Sequence, residues 1–190
     1  MHLETGDMDD DSRLFRRLRG GDPEALRAIY EKYKKDLLRV AACLLTDLGL
    51  AANIELKSEG DGARPLAAAV VAVITRAWPA DRAPPLLSSF DTGCVAACRD
   101  LAPAVPRAFL VEAPDRAALA AARRLDCMAI HANHRRLNEK LTTMVKNEGW
   151  RCAAYTVDDP ARAKRLLAWG VDSIITNAPD RLKAALDAAR

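Results

Sequence analysis

The stretch that decides the fold runs from Arg151 to Thr176 and has the sequence RCAAYTVDDPARAKRLLAWGVDSIIT. Its first part, Arg151 to Val157, is a short apolar run typical of a buried strand. A helical pattern covers Pro160 to Trp169, and a second short apolar run covers Asp172 to Thr176. This order predicts two strands joined by a helix, the arrangement that connects parallel strands.

The same alternation continues on both sides of this stretch. Further strands are predicted at 53–57, 86–90, 107–111 and 127–131, and further helices at 63–78, 92–101, 115–125, 137–148 and 179–189. Six strand–helix units with short connections indicate an α/β protein with a parallel sheet and right-handed crossovers. A doubly wound sheet and a (β/α)8 barrel both fit this periodicity.

Polar residues at the predicted strand ends favour the barrel. Chemically useful side chains follow several different strands, namely Glu55, Lys57, Ser89, His131, Tyr155 and Asn177. In a barrel such ends meet over one mouth, whereas an open sheet binds its ligand at a single switch point. No glycine-rich phosphate loop follows the first strand, which argues against a dinucleotide-binding domain.

Composition restricts the class of protein further. The chain has 190 residues, half of them hydrophobic, a net charge of only +3, and five cysteines at irregular spacing. We expect one domain or one domain with a small appendage, buried reduced thiols, and no nucleic-acid footprint. The longest apolar stretch, Pro65 to Ala77, is too short to span a bilayer, and the polar N-terminus carries no secretory signal. The expected location is therefore cytoplasmic, with no membrane contact.

The first 47 residues follow a different pattern. Asp22 and Pro23 form a helix start signal, and apolar residues then recur at helical spacing. We predict an N-terminal helical hairpin over 1–47 and a separate α/β domain over 48–190. If the long helix covers an edge of the sheet, its apolar face should be buried, with Leu26, Ile29, Tyr33 and Leu37 as the contacting residues.

Five motifs in the α/β part resemble the glycerophosphodiester phosphodiesterases. They are the strands NIELK at 53–57 and PLLSSF at 85–90, the segment IHANH at 130–134, YTVDDP at 155–160, and LAWGVD at 167–172 with IT at 175–176 and PD at 179–180. Each motif is weak alone, but the five occur in the family's order. The resemblance implies an incomplete TIM barrel and the metal-dependent hydrolysis of glycerophosphodiesters to glycerol 3-phosphate and an alcohol.

The resemblance also implies roles for individual residues. Glu55 would be a ligand of a divalent cation, Mg²⁺ or Ca²⁺, and Lys57 would face the substrate phosphate. Phe90 and Tyr155 would line the substrate pocket, and His131 would lie at its edge. The family's HRG strand, its Glu-x-Asp metal pair and its catalytic histidines are absent from this chain. We therefore expect weak or absent metal binding and impaired activity, with the catalytic residues unknown.

The N-terminal segment has a resemblance of its own. The residues SRLFRRLRGGDPEAL at 12–26, followed by Tyr30, Tyr33 and LLRVA at 37–41, resemble the start of region 2 of extracytoplasmic-function sigma factors. The match ends near Asp47, before the family's polymerase-docking and promoter-reading helices. The alternatives to an enzyme are therefore a non-catalytic fused or truncated barrel that serves as an interaction module and, less favoured, a sigma-like transcription regulator.

Three expectations follow from the residues themselves. Glu55 should form a salt bridge with Lys57, which lies two residues on and on the same face. His131 and His134 should point to opposite faces, which argues against a shared metal. Six strands cannot close a barrel built for eight, so the first and last strands should be open edges through which copies of the chain could associate.

Overall fold

A computed structural model describes residues 13–14, 16–17, 20–25, 27–28, 51–58 and 60–187. Within the first group, Asp22 caps a helical segment at 23–25, since its Oδ1 accepts a hydrogen bond from the amide of Glu24 at 2.9 Å. This agrees with the predicted helix start. Most of the predicted hairpin lies outside the described residues, including Leu26, Ile29, Tyr33 and Leu37. Its packing and the boundary after residue 47 therefore stay predictions.

The described chain from residue 51 onward alternates strands with helices. The strands are β1 (Asn53–Glu55), β2 (Leu86–Ser89), β3 (Arg107–Val111), β4 (Ala129–Asn133), β5 (Arg151–Tyr155) and β6 (Ser173–Ile174). The helices are α1 (Ala63–Ala77), α2 (Thr92–Leu101), α3 (Arg116–Arg124), α4 (Glu139–Asn147), α5 (Pro160–Ala168) and α6 (Pro179–Asp187), with a short 3-10 turn at Gly60–Gly62.

All six strands are parallel, and their order in the sheet is their order in the chain. The result is a curled half-barrel, which confirms the predicted α/β fold, an incomplete (β/α)8 barrel. Within the described residues, β1 and β6 each pair on one side only, as expected for open edges.

The two faces of the sheet have different neighbours. Every second residue of β3 to β5 packs in one core cluster with the helices, as Phe109, Ile130 and Cys152 do. The register places Glu55, Ser88, Ala108 and Ala129 side by side on the opposite, inner face of the half-barrel. Because residues two apart along a strand share a face, residues of the same strand that lie two positions before or after these four also lie on the inner face.

Side-chain caps start the helices close behind the strands. Asp91, Asp115, Asn138 and Asp159 each accept a hydrogen bond from an amide in the first turn of α2, α3, α4 and α5. Such caps satisfy amides that have no partner within the helix. The connections are therefore short, and the carboxyl ends of the parallel strands lie along one edge of the sheet.

The predicted element bounds differ from the observed ones only at their ends. No end differs by more than two residues, and β4 is displaced at both ends, since it spans Ala129–Asn133 instead of 127–131. The amide of Cys127 instead donates to the carbonyl of Ala122 at 3.0 Å, so this residue still closes the end of α3. Asp126, with a φ of 51°, makes the turn between helix and strand.

Two compact units are present. Residues 73–83 belong with the N-terminal residues up to 50, and residues 51–72 and 84–190 form the second unit, which contains the whole sheet. In the first unit, the indole of Trp78 donates to the carbonyl of Ala83 at 2.9 Å and closes the turn after α1. A search of the described helices finds none with the length and apolar character needed to cross a bilayer.

Candidate functional site

Glu55 and Lys57 lie at the carboxyl end of β1 on the inner face. Their spacing of two residues places both side chains on the same side of the strand. Lys57 Nζ lies 3.7 Å from Glu55 Oε1, and the two side chains are 80% and 34% exposed. This is the expected ion pair. Because the contact is long and the ammonium is exposed, the pair is weak and Lys57 remains free to meet an incoming anion.

Phe90 and Tyr155 form an aromatic pair at the same edge of the sheet. Their ring centroids lie 5.7 Å apart at an angle of 83°, an edge-to-face contact. The Tyr155 hydroxyl donates to the carbonyl of Val111 at 2.8 Å, which fixes the ring. Burial raises the pKa of Tyr155, and the charges of Glu112 and Glu55 raise it further. Tyr155 therefore stays a neutral phenol, and half of the Phe90 ring surface is open to a ligand.

Glu112 and Asn133 join this group, although the sequence analysis did not single them out. Asn133 Nδ2 donates to Glu112 Oε2 at 2.9 Å, and Asn133 Oδ1 accepts from the amide of Arg135 at 3.0 Å. Asn133 is paired in register with Tyr155. Glu112 directly follows β3, whose end was predicted correctly, so its place at the mouth could be read from the sequence. Asn133 ends β4 because that strand lies two residues later than predicted, so its place could not.

Together these residues define the mouth of the half-barrel: Glu55, Lys57, Phe90, Glu112, Asn133 and Tyr155. They come from the ends of five strands, β1 to β5. The mouth combines one accessible ammonium, two carboxylates, an amide and an aromatic surface. Such a surface can bind a small polar molecule with one anionic group at Lys57, provided that this group approaches from the side away from the carboxylates.

His131 lies on the inner face two residues before Asn133, one layer deeper than the mouth. It is 5% exposed, and burial lowers its pKa to about 4, so the imidazole is neutral at pH 7. Its Nδ1 has no hydrogen-bond partner. Its side chain lines a cavity at the amino ends of the strands, away from the mouth. A role for His131 at the edge of the substrate pocket stays a prediction.

His134 follows β4 and is tied to the mouth by its backbone, because its amide donates to the carbonyl of Tyr155 at 2.9 Å. Burial is the main cause of its lowered pKa, and Arg162 and Arg135 lower it further. Its Nδ1 is also buried without a partner. Among the described residues, no side-chain hydrogen bond joins either imidazole to the mouth.

Two strand-end residues outside the mouth have structural roles. Ser89 faces the helices, and its hydroxyl donates to the carbonyl of Leu56 at 2.7 Å. Asp158 accepts hydrogen bonds at 2.8 Å from the amide of Asn177 and from the hydroxyl of Thr176. These bonds lower the pKa of Asp158 and hold the loop before α6. Both residues thus fix loops next to the mouth.

The described residues do not fit a divalent-cation site. Ca²⁺ takes six to eight oxygen ligands, carboxylates among them, whereas Mg²⁺ takes six, of which one or two are carboxylates and the others are waters or substrate oxygens. Among the residues that the structure describes, no group of three or more His, Cys, Asp or Glu side chains is arranged to hold a metal. Glu55 is engaged with Lys57 and Glu112 with Asn133. Glu55 as a metal ligand therefore stays a prediction that the local donor set does not favour.

Known proteins with the same fold are glycerophosphodiester phosphodiesterases. The chain is 27% identical to a phosphodiesterase of Oleispira antarctica, solved in complex with the product sn-glycerol-3-phosphate, with a TM-score of 0.72 over 79% of this chain and 60% of that one. A Silicibacter pomeroyi protein, described as a glycerophosphoryl diester phosphodiesterase, shares the fold with a TM-score of 0.71 at 24% identity, over 82% of this chain and 56% of that one.

Sequence comparison agrees with the fold. Over 99 residues, half of this chain, the identity to the glycerophosphodiester phosphodiesterase of Bacillus subtilis is 31%, and the match spans only 34% of that enzyme. The chain thus corresponds to part of the length of its relatives. The sequence profile of the glycerophosphoryl diester phosphodiesterase family matches residues 12–181, nearly the whole chain and most of its N-terminal segment. The chain therefore belongs to the glycerophosphoryl diester phosphodiesterase family.

Proposed function

We propose that the mouth binds a glycerophosphodiester, or the glycerol phosphate released from it, and that this chain alone hydrolyses the diester slowly or not at all. One observation carries the proposal. The exposed ammonium of Lys57 and the aromatic pair of Phe90 and Tyr155 occupy strand ends on the same inner face. A cation beside an aromatic surface suits a phosphate attached to a small carbon skeleton.

Each mouth residue has a distinct part in this binding. Lys57 Nζ donates to a phosphate oxygen, and the contact replaces its long ion pair with Glu55. Phe90 covers the carbon atoms of the ligand. Asn133 and Glu112 offer an amide and a carboxylate to hydroxyl groups. Tyr155 fixes the Phe90 ring by their edge-to-face contact, because its own hydroxyl is already engaged with Val111. The relative from Oleispira antarctica, which holds sn-glycerol-3-phosphate, supports this class of ligand.

Hydrolysis needs more than binding. The leaving alkoxide requires a proton donor, and the developing charge on phosphorus requires stabilisation beyond one lysine. The imidazoles of His131 and His134 form no hydrogen bond with the described mouth residues, and the neutral His131 lies a layer deeper. The resemblance implies that HRG and a Glu-x-Asp pair on strands before Glu55 supply these groups in the family. HRG does not occur in the sequence, and its one Glu-x-Asp spacing, Glu59-Gly60-Asp61, follows Glu55 instead of preceding it. We expect weak or absent binding of Mg²⁺ or Ca²⁺.

Calorimetric titration with sn-glycerol 3-phosphate tests the binding proposal. We expect saturable binding that weakens by about tenfold or more in Lys57→Met, because the ligand loses a charge-assisted hydrogen bond. Lys140→Met is the matched control, since Lys140 is an exposed lysine of α4, outside the mouth. Equal affinity in Lys57→Met and Lys140→Met, or no binding by the unmodified chain, would contradict the proposal.

The second candidate is a non-catalytic half-barrel that acts as an interaction module. The observation in its favour is the sheet itself, whose described edge strands β1 and β6 are short and pair on one side only. Such edges can accept a strand from another chain. Light scattering across a concentration series tests self-association through them, and a monomer at all concentrations would contradict it. The resemblance of residues 8–47 to sigma factors, a fusion at that boundary and a cytoplasmic location stay predictions.

A further inference from the structure

A second cavity lies at the end of the half-barrel away from the mouth. Its volume is about 310 Å³, and it is lined by the first residues of four strands, Leu86, Ala129, Arg151 and Ser173. The mouth residues Glu55 and Tyr155, by contrast, end their strands. The cavity volume falls at the lower end of the roughly 300–1,000 Å³ found for small-molecule sites. All of its lining residues belong to the unit that contains the sheet.

His131 is the polar group inside this cavity. Its side chain is among the lining residues, it is 5% exposed, and its Nδ1 has no hydrogen-bond partner. A buried polar atom without a partner destabilises the fold, so such an atom calls for a bound water or a ligand. The neutral imidazole offers one N–H donor and one acceptor nitrogen. It therefore suits a neutral or singly charged polar group, and it supplies no charge of its own.

The rim of the cavity is cationic. Arg151 Nη1 lies 3.1 Å from Asp172 Oδ1, and Lys146 Nζ lies 2.6 Å from Asp172 Oδ2. Asp172 also accepts from the amide of Cys152 at 2.7 Å. Two cations thus share one carboxylate, which leaves one net positive charge. The Arg151 side chain is 71% exposed, so most of its guanidinium N–H groups face outward.

Most of the remaining wall is apolar, and Ser173 is its other polar residue. Leu86, Met128, Ala129 and Ala153 line the cavity together with His131. Met128 is 49% exposed although it is a large apolar residue, so a ligand body in the cavity would shield it from water. A multiply charged ligand such as inorganic phosphate does not suit these walls, because Asp172 lies at the rim and the apolar surface would strip the anion of water.

We propose that this cavity is a second binding site, separate from the mouth, for a small organic monoanion with an apolar body, of the class of short-chain carboxylates. The carboxylate lies at Arg151 on the rim, the carbon chain contacts Met128, Ala129 and Ala153, and the imidazole of His131 exchanges a hydrogen bond with a carboxylate oxygen or with a water that the ligand holds in place.

Nuclear magnetic resonance titration of the full chain with hexanoate tests the site. We expect saturable shifts of the His131 imidazole and of the Met128 and Ala153 methyl signals, with little change at Tyr155. Hexanoate should bind at least about tenfold more tightly than acetate, which lacks the apolar body, and more tightly than inorganic phosphate. Absence of saturation, or shifts confined to the mouth, would overturn the proposal.

Two variants separate the contributions of charge and cavity. Arg151→Gln should weaken hexanoate by about tenfold while leaving the binding of uncharged 1-hexanol unchanged. His131→Phe fills the cavity and should abolish both. His131→Gln, a polar residue of similar size, serves as the second variant if the phenylalanine variant fails to fold. It should weaken the binding of hexanoate without closing the cavity to 1-hexanol.

Lys57→Met should leave hexanoate binding unchanged, so failure of this site and failure of the mouth are distinguishable. Equal hexanoate binding in all variants would refute the assignment.

Discussion

Lys57 Nζ lies 3.7 Å from Glu55 Oε1 at the carboxyl end of β1, with the lysine side chain 80% exposed. An incoming phosphate must compete with the Glu55 carboxylate for the Lys57 ammonium. Whether the Glu55 carboxylate stays paired with Lys57 therefore determines whether the mouth can bind a metal cation or an anion. A metal ligand would have to release Lys57, whereas an anion site needs Glu55 only as a weak resting partner.

Glu55→Gln should therefore strengthen the binding of sn-glycerol 3-phosphate in the absence of metal. The variant removes a carboxylate that repels the phosphate and occupies Lys57, and we expect a gain of a fewfold, since exposed pairs contribute less than about 1 kcal/mol. Calorimetry with EDTA present measures the change. A decrease in affinity would contradict this and would show that the Glu55 carboxylate contributes to ligand binding. Repeating the titration in Ca²⁺ at roughly 0.1–10 mM tests whether the same carboxylate binds a cation.

Arg107→Leu should destabilise the fold. The Arg107 side chain is 3% exposed, and its guanidinium donates to the carbonyls of Val105 at 2.7 Å and Asp126 at 3.0 Å. It also contacts the Asp126 carboxylate, which is 81% exposed, so the carbonyl contacts matter more than the charge pair. Loss of these bonds leaves part-buried carbonyls without their charged donor and should lower the free energy of unfolding by about 2–4 kcal/mol.

Urea unfolding followed by circular dichroism measures this change. Arg124→Leu, at an exposed position at the end of α3, is the control and should change the free energy by less than about 0.5 kcal/mol. Equal unfolding midpoints for the two variants would show that the Arg107 hydrogen bonds add no net stability.

Stability should fall as the pH is lowered from 6.5 toward 4. Burial lowers the pKa of His131 from 6.5 to about 4, so in this range the unfolded chain binds a proton that the folded chain excludes. Proton uptake by the unfolded state favours unfolding. For His131 alone, this lowers the free energy of unfolding by about 3 kcal/mol at most. The lowered pKa of His134 acts in the same direction. Asp91, Asp158 and Asp172 have pKa values below 3.8, so their contributions are lost only at lower pH.

The free energy of unfolding at pH 7 and at pH 5 gives the measurement. His131→Gln should remove most of the difference between the two values, and His134→Gln should remove a smaller part, because His134 is less buried. A pH dependence that persists unchanged in the His131→Gln variant would mean that His131 is accessible to protons in the folded chain.

The described cysteines should resist thiol reagents in the folded protein. Cys94, Cys98, Cys127 and Cys152 are free and buried, as the composition predicted, and Cys43 lies outside the described residues. Burial is the main cause that raises the pKa of Cys98, Cys127 and Cys152 to about 11, which lowers the thiolate fraction about a hundredfold. In a Cys43→Ser background, we expect no reaction with Ellman's reagent until urea unfolds the chain. Rapid labelling of any of the four without denaturant would contradict this packing.

The strand–helix order was predictable because each unit carries its own periodicity and a start signal. Asp159 and Pro160, for example, begin α5 where the pattern changes from strand to helix. The pairing of Glu55 with Lys57 followed from a spacing of two along a strand. Glu112 and Asn133 were missed because their contact joins residues 21 positions apart on neighbouring strands, and only the register brings them together. The cavity around His131 was not predictable either, because its walls come from four strands.

The central claim is that the mouth keeps the family's ligand-binding surface while this chain alone lacks the groups for turnover. The most direct test is an assay for glycerol 3-phosphate released from glycerophosphocholine, with Mg²⁺ or Ca²⁺ present. We predict no release above that seen with the metal ion in buffer alone. Metal-dependent turnover that Glu55→Ala abolishes would contradict the account and would assign Glu55 to a working metal site.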